Sequence, residues 1–188
     1  MHWALFLLKD TQSGLESYLR LVFNNEYFTL IETSFNNLFK YLIVLTIISK
    51  SKYHIFKLKQ TLEGRDDQDQ FVRLFRSIFI DFDMENSFAR VNECAKIIKN
   101  DYFLCEYEEL FLAKSREILL QNYIDLNSSI DIKHFSVLLG MDAAKTQDYL
   151  NEFFRINYPE AVLSYKNEQL EFLLPNNDED NYVKNSIL

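Results

Sequence analysis

Ser128-Ser-Ile-Asp-Ile132, Leu138-Leu-Gly-Met141 and Ala161-Val-Leu-Ser-Tyr165 mark where this chain of 188 residues changes rhythm. Ile130 and Ile132 alternate with polar neighbours, as a short strand does. Asp131 is placed to cap a helix carrying Phe135, Leu138 and Leu139, and Gly140 supplies its left-handed stop. Asp142 caps a second helix with Tyr149, Leu150, Phe153 and Phe154 on one face, and Pro159 follows soon after its end. Val162-Leu-Ser-Tyr165 and Leu170-Glu-Phe-Leu173 then alternate on either side of a turn at Lys166-Asn-Glu168, the pattern of a β-hairpin. Strand, helix, helix, hairpin is the order of a winged helix, predicted over 128–174.

Upstream of residue 128 the spacing is helical throughout. Ser13 caps a predicted helix to Asn24, with Leu15, Leu19, Val22 and Phe23 on one face. From Phe35 to about Ser49, Leu38, Tyr41, Leu42, Leu45 and Ile48 form a stripe at helical spacing. A helix at Tyr53–Leu62 is stopped by Gly64, and Arg65-Asp-Asp-Gln-Asp69 reads as a solvated connection leading into an acidic helix start. Phe71–Ile80 and Phe88–Ile98 follow as an antiparallel pair joined by Asp81-Phe-Asp-Met-Glu85, with Phe88, Val91, Ala95 and Ile98 as the buried stripe. After Asn100-Asp101 a long helix runs to about Leu126, carrying Leu104, Tyr107, Phe111 and Ile118. Helix pairs of this length cannot bury their apolar faces alone, so they are expected to stack as a solenoid. The predicted organisation is helical repeats over 1–127, the winged helix over 128–174, and an acidic tail over 175–188 with a short helix in it.

Composition supports packed helices. Hydrophobic residues are 48% of the chain, with 17 Phe and 11 Tyr but only three Gly and two Pro, too few for a loop-rich β fold. A chain of this length buries roughly 70% of its unfolded surface. The formal net charge of −8 repels a phosphate backbone unless the cations gather on one face. Cys94 and Cys105 fit no metal spacing and read as reduced, half-buried thiols. His2-Trp3 takes the place of the basic start of a secretion signal, and Leu42–Ile48 is far shorter than the roughly 20 residues of a membrane span.

Catalytic chemistry finds little to use. His2, His54 and His134 lie far apart, and the chain has no Gly-rich phosphate loop, nucleophile elbow or paired-cysteine metal site. Asp81, Asp83 and Glu85 lack the Gly and terminal Glu of a calcium loop and read as turn and cap residues. Glu106, Glu108 and Glu109 read as the solvated face and N-terminal charge of the long helix. No catalytic, cofactor or metal site is expected. The second winged helix balances Lys145 and Arg155 against Asp148 and Glu152, a poor surface for phosphate contacts. The wing is different: Val162, Leu163, Tyr165, Leu170, Phe172 and Leu173 exceed what one inward face requires. Each is open either to a partner or to the wing-to-helix core, and a hairpin edge is a template for strand addition by another protein.

These stretches together resemble the PCI domain, shared by subunits of the proteasome lid, the COP9 signalosome and eukaryotic translation initiation factor 3. Within it the sequence is most similar to the family of e subunits of that initiation factor. The resemblance is carried by His2-Trp-Ala-Leu-Phe6, Phe79-Ile-Asp-Phe-Asp83, Asn100-Asp-Tyr-Phe-Leu104, Ile130-x-Ile132, Leu138-x-x-Met141 and Ala161-Val-Leu-Ser-Tyr165. It implies a mainly α chain, a helical-repeat array continuous with a C-terminal winged helix. It also implies a non-catalytic, cytoplasmic scaffold without cofactors, packed beside other PCI subunits (c, l and d where present) and supporting initiation on the small ribosomal subunit. A component of the proteasome lid or signalosome is the alternative. Family members have further N-terminal helices and a longer C-terminal helix, so this sequence reads as an excised domain or a reduced form.

Overall fold

The computed structural model describes residues 38–63, 69–166 and 168–174. The expected helix at 13–24, His2, the Gly64 stop, most of the 65–69 connection, Asn167 and the tail at 175–188 lie outside the described residues. The chain is mainly helical, with seven α-helices and one three-stranded sheet among those residues. They fall into two compact units, one up to Tyr123 and one from Ile124.

In the first unit, α1 (Leu38–Ser49) differs from the expected single stripe. Leu42, Ile43, Val44, Leu45 and Ile47 are all buried, as befits a helix apolar all round. The lysines that flank its apolar run Leu42–Ile48 are tied down. Lys40 reaches Asp101 and Lys50 reaches Glu117, each at 2.5 Å. Helix α2 (Lys52–Leu62) buries His54, Leu58 and Leu62. In α3 (Gln70–Phe79) the Asp69 side chain accepts from the backbone N–H groups of Phe71 and Val72, satisfying donors that have no partner within the helix.

Helix α4 (Met84–Lys99) begins four residues earlier than its apolar stripe indicates. Asp83 caps it, accepting from the Asn86 backbone at 3.3 Å and from the Asn86 side chain at 2.6 Å. That capping role for the Asp81–Glu85 stretch is the expected one, and the predicted stripe Phe88, Val91, Ala95 and Ile98 is buried. Cys94 Sγ sits 3.7 Å from the Gln70 carbonyl, so the second half of α4 meets the start of α3, as in an antiparallel pair. The cysteines are not both half-buried. Cys94 is buried on the inner stripe of α4 and Cys105 is exposed on a turn; both are free thiols.

The long helix, α5 (Glu108–Leu126), starts later than expected. Asp101 accepts from the backbone N–H groups of Phe103 and Leu104, which winds 101–104 into a turn followed by a 3-10 segment at Cys105–Tyr107. Leu104 is buried, but from that turn and not from α5.

The second unit holds β1 (Ser129–Asp131), α6 (Ile132–Leu139), α7 (Ala143–Asn157), β2 (Val162–Lys166) and β3 (Gln169–Leu173). All pairing is antiparallel in the order β1-β3-β2, so β3 is central. Asp131 caps α6 and Asp142 caps α7, both as expected, while Gly140 ends α6 at φ 64°. Ile132 is not a strand residue. The Asp131 side chain accepts from His134 N–H, so Ile132 is already the first residue of α6. Ile130, Phe135, Leu150, Phe154, Leu170 and Phe172 form the core of this winged helix.

Candidate protein-docking surface

The register of the wing sorts its apolar residues between two faces. Directly opposed residues of an antiparallel pair share a face, and successive residues alternate. Leu163 opposes Phe172 and Tyr165 opposes Leu170. Leu170 and Phe172 are buried, the Phe172 ring lying 5.1 Å from that of Phe154 on α7. These two are therefore core residues of the unit and leave the set of partner candidates. Leu163 stands between them and the surface, partly buried.

Tyr165 lies on the same inner side but reaches past the core. Its phenol donates to Asn151 Oδ1 on α7 at 2.5 Å, strapping the wing to the helix. Burial raises this phenol above its ordinary pKa, with the Asn151 hydrogen bond opposing. Tyr165 nonetheless remains 38% exposed.

The outer face carries the opposed pair Val162 and Leu173, 64% and 71% exposed. Phe172 N–H donates to the Ser128 carbonyl, which brings the end of α5 alongside β3. Leu126, also largely exposed, lies two residues before that contact. The Val162–Leu173 pair is itself a small apolar patch at one end of the sheet. Next to it β2 is an edge strand with no second strand neighbour among the described residues. Two isolated surface aliphatics would need no explanation, but a cross-strand pair beside an open edge offers both apolar area and backbone hydrogen bonds.

Charges on the same unit are largely paired off. Arg155 bonds Glu152 at 2.6 and 3.0 Å and Lys145 pairs with Asp142 at 3.1 Å. Lys133 pairs with Glu168 at 2.5 Å and Lys166 with Glu171 at 3.2 Å. The backbone N–H and side chain of Lys145 hold the Asp142 carboxyl below its usual range, and the Arg155 guanidinium does so for Glu152. A groove of about 390 Å³ at the wing tip is lined by Ile132, Ala144, Gln147 and Tyr165, with Lys133, Lys166 and Glu168 at its rim. Among the described residues no three His, Cys, Asp or Glu side chains gather closely enough to hold a metal ion, and no helix is long and apolar enough to cross a membrane.

No family model matches the chain. It is similar to curated proteins named as the e subunit of eukaryotic translation initiation factor 3. Identity to that of Phaeosphaeria nodorum is 26% over 176 residues, covering 88% of this chain and 40% of the relative. The Chaetomium globosum protein is 25% identical over 175 residues, covering 88% and 39%. The Pyricularia oryzae protein is 24% identical over 185 residues, covering 93% and 42%. The chain thus spans about two fifths of the length of these relatives.

Proposed function

We propose that the chain is a non-catalytic assembly component of eukaryotic translation initiation factor 3, with 1–127 and 128–174 as the two parts of one PCI module. The observation that carries this reading is similarity across 88% of the chain to proteins named as the e subunit of that factor. The form of the wing supports it. Lys166 of the wing and Lys133 beside it are engaged in ion pairs, while Val162 and Leu173 sit exposed beside the β2 edge. In this reading β2 and the Val162–Leu173 pair meet a neighbouring PCI subunit (c, l or d where present). The assembled factor then carries the chain to the small ribosomal subunit in the cytoplasm. The chemistry is that of apolar burial plus strand-edge hydrogen bonding, neither of which consumes a substrate.

The tagged 188-residue chain, expressed in its native source and affinity-purified, is expected to bring down initiation factor 3 subunits. The double variant Val162→Asp/Leu173→Asp is expected to lose them while keeping its helical circular dichroism. Recovery of proteasome-lid or signalosome subunits in place of initiation factors would overturn the assignment, and undiminished recovery by the double variant would remove the wing from the interface.

A further inference from the structure

A second surface lies in the helical unit and uses none of the wing residues. Helix α2 exposes Tyr53 and Phe56 three residues apart on one face, each 56% exposed. Beside them Phe82, in the α3–α4 connection, is 48% exposed. Its backbone has φ 51°, in the left-handed region that bulky side chains avoid. The flanking backbone holds it there. Asp81 N–H donates to the Arg76 carbonyl, Asp83 N–H to the Ser77 carbonyl, and Ser87 Oγ–H to the Asp83 carbonyl. An otherwise apolar residue is thus kept strained and outward, when a polar residue that tolerates positive φ would serve the turn better.

Phe56 and Phe82 wall a groove of about 460 Å³ floored by Phe79, with Lys59, Glu63 and Arg76 at its edge. Such a volume falls within the roughly 300–1,000 Å³ of ligand-binding clefts. Its electrostatics run against the rest of the chain. Helix α2 carries Lys52, Lys57 and Lys59 and no acidic residue, in a protein of net charge −8. Arg76 adds a further cation at the groove's edge. Against these stand Glu63 at the end of α2 and Asp81 and Asp83 on either side of Phe82, Asp83 being bonded to Asn86 as the α4 cap. Two of the lysines lie over the rings themselves, Lys57 Nζ at 6.0 Å from Tyr53 and Lys59 Nζ at 5.7 Å from Phe82. Ring and ammonium are therefore offered side by side.

We infer that this groove docks an extended peptide segment of a partner protein in which an aromatic or long aliphatic side chain is flanked by acidic residues. The apolar side chain enters between Phe56 and Phe82 over Phe79, and the carboxylates meet Lys57 and Lys59. Charge complementarity selects this occupant over a basic peptide, which would meet Lys59 and Arg76 at the groove and the other α2 lysines beside it. The apolar cleft between Phe56 and Phe82 calls for a side chain to fill it, which a sugar-phosphate backbone does not carry. The inference stands apart from the wing, so Val162 and Leu173 variants leave it untouched.

The test uses the intact 188-residue chain and a fluorescein-labelled peptide, Asp-Glu-Asp-Phe-Asp-Leu-Glu-Asp, followed by fluorescence anisotropy at 50 and 300 mM salt. Saturable binding is expected, weaker at the higher salt because exposed charges are screened. It should fall at least tenfold with Phe56→Ser and with Lys57→Glu/Lys59→Glu. Both variants replace surface-reaching side chains, and unchanged thermal melts establish that they fold. The same peptide with Gly for Phe and Leu, and a version with Lys for every acidic residue, should bind at least tenfold more weakly. Equal binding of either control peptide, indifference to both variants, or tighter binding of a twelve-nucleotide oligouridylate would each overturn the inference. So would a concentration-dependent dimer of the chain alone, seen by sedimentation and abolished by Phe56→Ser, since the occupant would then be a second copy.

Discussion

Phe172 and Leu173 are adjacent in β3 and face opposite ways, so alanine at each separates folding from assembly. Phe172 is 5% exposed and packs against Phe154, whose ring in turn lies 5.8 Å from that of Tyr158. Truncating a buried Phe to Ala costs about 3–5 kcal/mol through lost transfer energy and the cavity left behind. The unit from Ile124 onward has about 65 residues, and natural domains hold roughly 0.05–0.15 kcal/mol per residue, or about 3–10 kcal/mol here. Phe172→Ala therefore removes a third or more of its stability. Leu173→Ala trims atoms already in water, and its effect on stability stays within about 0.5 kcal/mol. At an interface the same leucine contributes about 1.5–3 kcal/mol when buried. Losing most of that weakens association about tenfold or more, a factor of ten corresponding to about 1.4 kcal/mol. Urea unfolding followed by circular dichroism reads the first quantity, and titration against the co-purified neighbouring subunit reads the second. The crossed pattern is expected: Phe172→Ala unstable, Leu173→Ala stable but poorly assembled. A Phe172→Ala cost below about 1 kcal/mol would refute the core assignment, and undiminished association of Leu173→Ala would refute the docking face.

Asp101 joins Lys40, the Tyr41 phenol and two backbone N–H groups; burial alone would raise its pKa, but the Lys40 hydrogen bond and the Phe103 and Leu104 N–H groups hold it below the usual range. With a depressed folded-state pKa its contribution is fully present above the unfolded value near 3.9 and is lost as pH falls through the lower folded one. Asp101→Asn should therefore cost about 1.5–3 kcal/mol at neutral pH and flatten the fall of stability in acid melts below about pH 4. Thr146 is fully buried with no hydrogen-bond partner for its hydroxyl among the described residues, so the near-isosteric Thr146→Val should stabilise the second unit by about 1 kcal/mol, and a lowered melting temperature would contradict this. Burial pushes the Cys94 thiol up to about 12, whereas Cys105 is exposed, so iodoacetamide at pH 8 should label Cys105 alone until denaturant opens the chain, as peptide mass spectrometry would show.

Much of the winged helix was legible because its signals are local. Asp131, Gly140 and Asp142 each do a job set by one turn of backbone, and a sequence displays that job directly. Helix starts were less visible where the first turn is polar. Met84-Glu-Asn-Ser87 shows little of the apolar spacing that revealed Phe88–Ile98, although Asp83 had already begun the helix. At Asp101 the misreading came from spacing that fits more than one geometry. Leu104, Tyr107 and Phe111 lie three and four apart whether the chain is α-helical or passes through a 3-10 turn first.

The candidate docking residues posed a different difficulty. Alternation in Val162–Tyr165 and Leu170–Leu173 announces two faces without saying which one meets α7. That choice is made by register, because Phe172 opposite Leu163 fits beneath Phe154 only if Val162 and Leu173 point the other way. Phe82 is harder still, since no spacing rule places an apolar residue at positive φ and local preference argues against it. Only the bonds of Asp81 and Asp83 to the end of α3 account for its position. Departures from local preference of this kind concentrate where a surface is kept for something else. On that ground the α2 groove stands beside the wing as a proposed docking surface of this chain.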